Sequence, residues 1–303
     1  MKLIDIIKEF ITKLLNLEVA DNVEIRVSED DTSNQNTKKE DDKLLNNESD
    51  SKPNDTKNQN SQKDTVTSTS NDKIKGLFVK SSDTGKLSFT ELKNKGYTHL
   101  FISHLIFDDR GEDYVKKVHD KCKIIGAKLI IFYTTYYNGD YMVNPTSSEA
   151  DNRINRIMAI GKKDTVDGVC LDYNRHNSSN HNDKIMNKIA NNTNKVVSEL
   201  KGKEVYATCM AEHPNAVKDY YHQDIAKWKA TPLCMLYKYN YNYSDSKMKE
   251  VYNLLKKANS KTIAIYQNYA GDDNIKDIGS SQLNKDIIDK NKYVIFRYGT
   301  GSY

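Results

Sequence analysis

Eight short apolar runs, each ending in a polar rim and most followed by a helical pattern, constrain this chain more than any other feature. They read IKGLFVK (74–80), THLFISHL (98–105), AKLIIFYTT (127–135), VDGVCLDY (166–173), KEVYATCMAE (203–212), PLCMLYKY (232–239), KTIAIYQNY (261–269) and KYVIFRYG (292–299). Near-continuous runs of Val, Ile, Leu, Phe and Tyr are typical of strands covered on both faces. The segments between them follow helix rules. Ser88 precedes FTELKNKG with Glu91 three residues later and Gly96 as a stop, a capping-box pattern. Tyr114, Val118, Cys122 and Ile125 recur at helical spacing, and KIMNKIANNTNKVVSEL and DSKMKEVYNLLKKA repeat the pattern. The alternation predicts an α/β fold, a (β/α)8 TIM-type barrel spanning 74–303. An open doubly wound sheet is the competing architecture, but no GxGxxG loop follows any strand.

The chain ahead of the barrel has a different composition. Between Asn34 and Asp72 only Leu44, Leu45 and Val66 are aliphatic. Such a stretch cannot bury enough apolar surface to offset its ordering entropy, so 28–73 is expected to be a disordered polar linker. Residues 1–27 form the N-terminal arm. There Leu3, Ile7, Phe10, Ile11, Leu14 and Leu15 fall on one helical face. Residues 3–17 thus suit self-association, a partner helix or a membrane surface. Asp5, Lys8, Glu9 and Lys13 interrupt any signal-peptide core, and no transmembrane span is expected. These features leave localisation open.

The net charge of +4 is spread as mixed Lys and Asp/Glu, without the basic stripe of a nucleic-acid footprint. Cys122, Cys170, Cys209 and Cys234 are widely spaced within apolar segments, which predicts buried free thiols rather than a zinc site or a disulfide framework. No metal and no cofactor are expected.

In a barrel of this kind the chemistry lies at the C-terminal ends of the strands. Those ends carry Lys80, His104, Tyr133, Asp172, Glu212, Tyr237, Tyr239, Gln267, Tyr269, Arg297 and Tyr298. Asp172 and Glu212 close adjacent strands, roughly 5 Å apart laterally, and a pair of carboxylates is the usual machinery of glycosidic bond cleavage. Ordinary rim salt bridges to Arg175, Lys238 or Arg297 are the alternative. The 20 Tyr against seven Phe and one Trp also point to carbohydrate, since a ring with a polar tip suits sugar stacking as well as half-buried packing. YTTYYNGDYMVNP and LYKYNYNYS are two such platforms. His104 is a candidate substrate contact at the end of the second strand.

VDGVCLDYNRH resembles the strand-four motif DGI-x-LDY-x-R of glycoside-hydrolase-like (β/α)8 domains, including those of cell-wall and surface proteins of methanogenic archaea. The likeness extends to GLFVKSSDTGKLSFTELKNKGYTHLFIS, IIFYTTYYNGDYMVNP, MAEHPNAVKDYYHQDIAKW, MLYKYNY and VIFRYG, about 74–303 in all. The resemblance implies Asp172 as principal carboxylate, with Tyr173 and Arg175 completing its motif. It implies Glu212 as the strand-five carboxylate, and Tyr237, Gln267 and Arg297 as pocket lining. The chain departs from the chitinase pattern DGxDxDxE, having Cys170 for the middle Asp and Asn174 for the Glu. A chitinase-type, substrate-assisted mechanism is therefore not expected. Gln267 stands where large retaining families carry a nucleophilic Glu. The partner of Asp172 is then Glu212 or a loop carboxylate such as Asp108, Asp109 or Asp140.

The expectation is a glycoside hydrolase acting on a polysaccharide or cell-wall glycan. Asp172 and Glu212 are its catalytic pair, and His104, Tyr133, Tyr173, Arg175, Tyr237, Tyr239, Gln267 and Arg297 are its substrate contacts. The alternative is a catalytically silent barrel that binds surface glycan or serves as an interaction module.

Overall fold

The computed structural model describes residues 73–178, 180–271 and 275–303. The expected N-terminal helical arm (1–27) and all but the last residue of the expected linker (28–73) lie outside them. In chain order the strands are β1 (Ile74–Val79), β2 (His99–Ser103), β3 (Lys128–Thr134), β4 (Gly168–Asp172), β5 (Glu204–Met210), β6 (Thr231–Met235) and β7 (Ile263–Gln267). A short antiparallel ribbon of β8 (Tyr269–Ala270) and β9 (Lys276–Asp277) comes next, and then β10 (Lys292–Phe296). Each apolar run of the sequence forms one barrel strand.

Seven strands and β10 pair in parallel in the order β1-β10-β7-β6-β5-β4-β3-β2, and β1 bonds to both β2 and β10. The sheet is a closed barrel with no edge, which excludes the open doubly wound alternative. Two apolar layers hold it. Alternate residues fill the lumen: Phe78, Phe101, Ile130, Cys170, Tyr206, Leu233, Ile263, Ile265 and Val294. The intervening residues, among them Leu77, Leu100, Leu129, Leu171 and Ala207, pack outward against the helices. Burial on both faces is why the runs lack a clean polar alternation. All four cysteines are buried free thiols.

Gly168 explains the small residue at the start of β4. A Cβ there would stand 2.4 Å from the Glu204 carbonyl oxygen and 2.9 Å from Ile130 Cδ1, so no larger residue fits without moving a strand.

The surrounding helices are α1 (Phe89–Asn94), α2 (Leu105–Arg110), α3 (Glu112–Ile124), α4 (Ser148–Gly161), α5 (Asp183–Glu199), α6 (Pro214–Tyr221), α7 (Lys238–Tyr241), α8 (Asp245–Ala258) and α9 (Ser280–Asp286). Ser88, Ser147, Asn182 and Ser244 cap four of them, each side-chain oxygen accepting a backbone N–H of the first turn. The capping box at α1 is only half formed. Glu91 pairs with Lys95 at 2.8 Å and accepts from Tyr303 Oη at 3.0 Å. The long helices bury one stripe each, for example Met186, Ile189, Ala190, Thr193 and Val196 of α5. No described helix is long and apolar enough to cross a membrane.

The run KEVYATCMAE overstates β5, which ends at Met210. His213 caps α6 and Pro214 occupies its first turn, so the chain leaves the sheet before Glu212.

Candidate active site

The C-terminal mouth of the barrel has an aromatic floor. Phe78 packs against Phe132 and Phe296 with ring centroids 5.3 and 5.7 Å away, and Tyr237 stacks on Phe296 at 5.5 Å. Asp172, the last residue of β4, comes two residues after the lumen residue Cys170 and therefore points to the same side, above this floor. Its Oδ1 accepts hydrogen bonds from Thr208 Oγ1 and from the Tyr173 backbone N–H, both at 2.9 Å. Among the described residues Oδ2 receives none. Burial raises the Asp172 pKa, while the Thr208 hydroxyl, the Tyr173 amide and the Arg175 charge pull the other way. The net shift is upward.

Tyr173 has φ 47°, a left-handed conformation costly for a residue with a Cβ. It turns the chain sharply as the strand ends. As a result Asn174 is fully buried towards α5, its Nδ2 donating to Thr193 Oγ1 at 2.9 Å. The position where the chitinase pattern has its Glu thus bonds to the helix layer. Tyr173 itself stacks on Tyr137 at 5.0 Å, and the Arg175 guanidinium lies 4.3 Å from its ring centroid. Arg175 is 3% exposed.

Gln223 ties this exit to β5. Its Nε2 donates to the carbonyls of Asn174 and Thr208 at 3.0 Å each, and its Oε1 accepts from Met210 N–H at 3.0 Å. One buried amide thereby fixes both the Asp172 turn and the Thr208 backbone.

Glu212 lies beyond the end of β5. Leu171 pairs with Ala207, so the residue level with Asp172 is Thr208 and Glu212 follows four residues later. At about 3.3 Å per residue the two Cα positions are offset by up to about 13 Å along an extended chain. Tyr221 Oη donates to Glu212 Oε1 at 2.8 Å. Burial raises the Glu212 pKa, and the Tyr221 bond opposes it. The Glu212 charge also acts on Tyr241 and Tyr243, which stack at 5.0 Å; Tyr243 Oη donates to the Ala211 carbonyl at 3.0 Å. Glu212 therefore sits among three tyrosines.

The remaining sequence candidates divide into two groups. Tyr237 faces the mouth, within electrostatic reach of Asp172 and Tyr173. Arg175 acts electrostatically on Asp172, Tyr173 and Tyr221. Together with Asp172, Thr208 and Glu212 they form one continuous neighbourhood. The others have different neighbours. Gln267 ends β7 pointing inward, but its Oε1 holds the backbone N–H groups of Tyr239 and Asn240 at 3.2 and 3.3 Å, and its Nε2 bonds Asn240 Oδ1. Tyr239 donates to Asp286 Oδ2 at 3.1 Å. The Arg297 backbone is clasped on both sides by the Asn268 side chain at 2.9 Å.

His104 and Tyr133 pack together behind the barrel wall, ring centroids 4.0 Å apart, with Arg153 and Arg156 of α4 5.3 and 5.8 Å from the Tyr133 ring. On β3 the lumen side belongs to Ile130 and Phe132, so Tyr133 faces the helices. Burial, aided by Arg156, lowers the His104 pKa to about 4. Of the loop carboxylates, Asp108 pairs with Arg156 at 2.9 Å. Of the two tyrosine-rich loops, Tyr136 is fully buried with its hydroxyl accepting from Asn192 at 3.0 Å, whereas Tyr141 is 55% exposed. Among the described residues no group of three or more His, Cys, Asp or Glu is arranged to hold a metal ion.

Sequence reasoning missed Thr208, Tyr221 and Gln223. Thr208 was open to discovery in principle, since strand register puts it beside Asp172.

No family model matches the chain, and no curated protein matches it in sequence. Solved structures do share its fold. A chitinase from Chromobacterium violaceum ATCC 12472 aligns with TM-score 0.54 at 9% identity, over 76% of this chain and 95% of its own. The C-terminal domain of a protein assigned as a chitinase from Desulfitobacterium hafniense DCB-2 aligns with TM-score 0.52 at 16% identity, over 65% of this chain and 67% of its own. The barrel architecture is common to all three.

Proposed function

We propose that residues 74–303 form a glycoside hydrolase of polysaccharide or cell-wall glycan, with Asp172 as nucleophile or base and Glu212 as proton donor. The observation that carries this reading is the setting of Asp172. It ends a barrel strand above an aromatic floor, one oxygen is held by Thr208 and a backbone amide, and the other is left for a ligand. The upward shift at Glu212 suits a group that must hold a proton until the leaving oxygen needs it. The four-residue offset between the carboxylates argues against the roughly 5 Å contact of a retaining pair. The barrel shared with a chitinase and with the C-terminal domain of a protein assigned as a chitinase adds to the case at the level of architecture. Hydrolysis of this kind needs no cofactor.

A silent glycan-binding barrel is the second reading, and two observations favour it: Asn174 bonds into the helix layer, and Gln267 is engaged in holding α7. In either reading the arm and linker ahead of the barrel would tether the domain to a partner or surface. Incubation of the full-length chain with a panel of polysaccharides and isolated cell walls, followed by a reducing-end assay, separates the two. The hydrolase reading expects new reducing ends from at least one glycan. Retention on the walls without release would instead identify a binding groove.

A further inference from the structure

Buried charges in this protein come with partners. Asp286, 7% exposed, is held by Lys238 at 2.8 Å, and Asp224, 5% exposed, by Lys218 and Lys227 at 3.1 and 3.4 Å. The half-buried Arg153 has no carboxylate partner among the described residues, but it donates to the carbonyls of Thr135 and Tyr137 at 2.8 and 2.6 Å. Arg175 departs from this pattern. It is more deeply buried than any of them, yet among the described residues no carboxylate lies within ion-pairing distance. Its Nε is sealed from solvent without a hydrogen-bond partner. Among the described residues only the ring and hydroxyl of Tyr173 engage the guanidinium.

A cation withdrawn from water without an ion pair is expensive, and an unsatisfied buried group of this kind calls for an explanation, which a bound ligand would supply. Arg175 also lies close enough to Asp172 and to Tyr221, the donor to Glu212, for its charge to act on both. A planar guanidinium pinned on an aromatic face presents a fixed fork that matches a carboxylate in two parallel hydrogen bonds.

We propose that Arg175 is the receptor for a carboxylate on the substrate, so that the site takes an acidic saccharide, a uronic-acid-bearing glycan, rather than a neutral one. This rests on the glycan reading above and narrows it to a sugar whose acid group lies next to the bond between Asp172 and Glu212.

The test is calorimetric titration of the full-length chain at low ionic strength with three probes: tetragalacturonate, its carboxyl-reduced neutral counterpart, and glutarate, a dicarboxylate without a sugar. The expected result is uronate binding about ten- to a hundredfold tighter than the reduced form. The Arg175→Gln variant brings that ratio close to one, and Arg175→Lys, which keeps the charge but not the fork, recovers only part of it. Thermal melting checks the fold of each variant; if Arg175→Gln does not fold, an Arg175→Lys variant equal to wild type overturns the proposal. Equal affinity of wild type for the uronate and its reduced form overturns the acidic class and leaves the glycan reading standing. Glutarate bound as tightly as the uronate overturns the saccharide itself while retaining a carboxylate receptor. Failure of all three probes, or undiminished uronate binding by Arg175→Gln, overturns the assignment of Arg175.

Discussion

Thr208 Oγ1 donates a 2.9 Å hydrogen bond to Asp172 Oδ1, linking the ends of two adjacent barrel strands at the level where their register makes them neighbours. The bond stabilises the ionised form of a carboxyl whose pKa burial raises.

Replacing Thr208 with Val removes that bond at nearly constant volume. The Asp172 pKa rises further, so the acid limb of the pH–rate profile, where this carboxylate must be ionised, moves to higher pH. The limb is expected to move upward, with kcat at the optimum down about tenfold. An unchanged acid limb would remove Asp172 from the role of base or nucleophile.

Tyr221→Phe acts on the opposite limb. The Tyr221 hydroxyl lowers the Glu212 pKa against the effect of burial, and its loss raises it. The alkaline limb, where a proton donor is lost, then moves upward while the acid limb stays in place. If the acid limb moved instead, the roles of the two carboxylates would be interchanged.

The opposite end of the barrel carries a polar plug that predicts acid lability. Burial alone would raise the Glu204 pKa, but bonds from His99 (2.9 Å), Lys128 and Tyr206 (2.7 Å) lower it to about 2. A depressed carboxyl contributes stability that is complete above its ordinary value of 4.5 and is lost as pH falls towards 2. Glu204→Gln is expected to lower stability at pH 7 by on the order of 2 kcal/mol and to flatten the pH dependence below 4.5. Urea titrations at pH 7 and pH 3 measure both. Equal losses at the two pH values would show that the plug acts through packing alone.

His104 adds a second, higher window. Burial and Arg156 hold it neutral with a pKa near 4 against an ordinary 6.5. Its folded value lies below its unfolded one, so stability falls as pH drops from 6.5 to 4, where only the unfolded chain takes up the proton. The thermal midpoint of the wild type should decline across that interval, and His104→Phe should decline less. A parallel decline would assign the acid sensitivity elsewhere.

Much of the barrel was legible because strands covered on both faces write continuous apolar runs. The same property hid which residues point inward. Tyr133 and Phe132 are adjacent aromatic residues in one run, and only the closed register sends Phe132 to the lumen and Tyr133 to α4. Asp172 stood out as a carboxylate ending an apolar run. Thr208 did not, since a Thr within KEVYATCMAE reads as strand filler until its partner strand is known. Glu212 was read as a strand end because Ala211 prolongs the apolar run, whereas the cap at His213 takes the chain out of the sheet earlier. Gln223 had no sequence signal at all; its role arises from three backbone groups brought together by folding.

The central claim is that Asp172 and Glu212 perform the chemistry. It is tested most directly by kcat on the best glycan of the panel for the full-length wild type, Asp172→Asn and Glu212→Gln, each checked for wild-type thermal melting. The account predicts release by the wild type and a loss of at least about a hundredfold in kcat for each folded variant, with glycan still bound. Either variant retaining kcat within about threefold of wild type would contradict it.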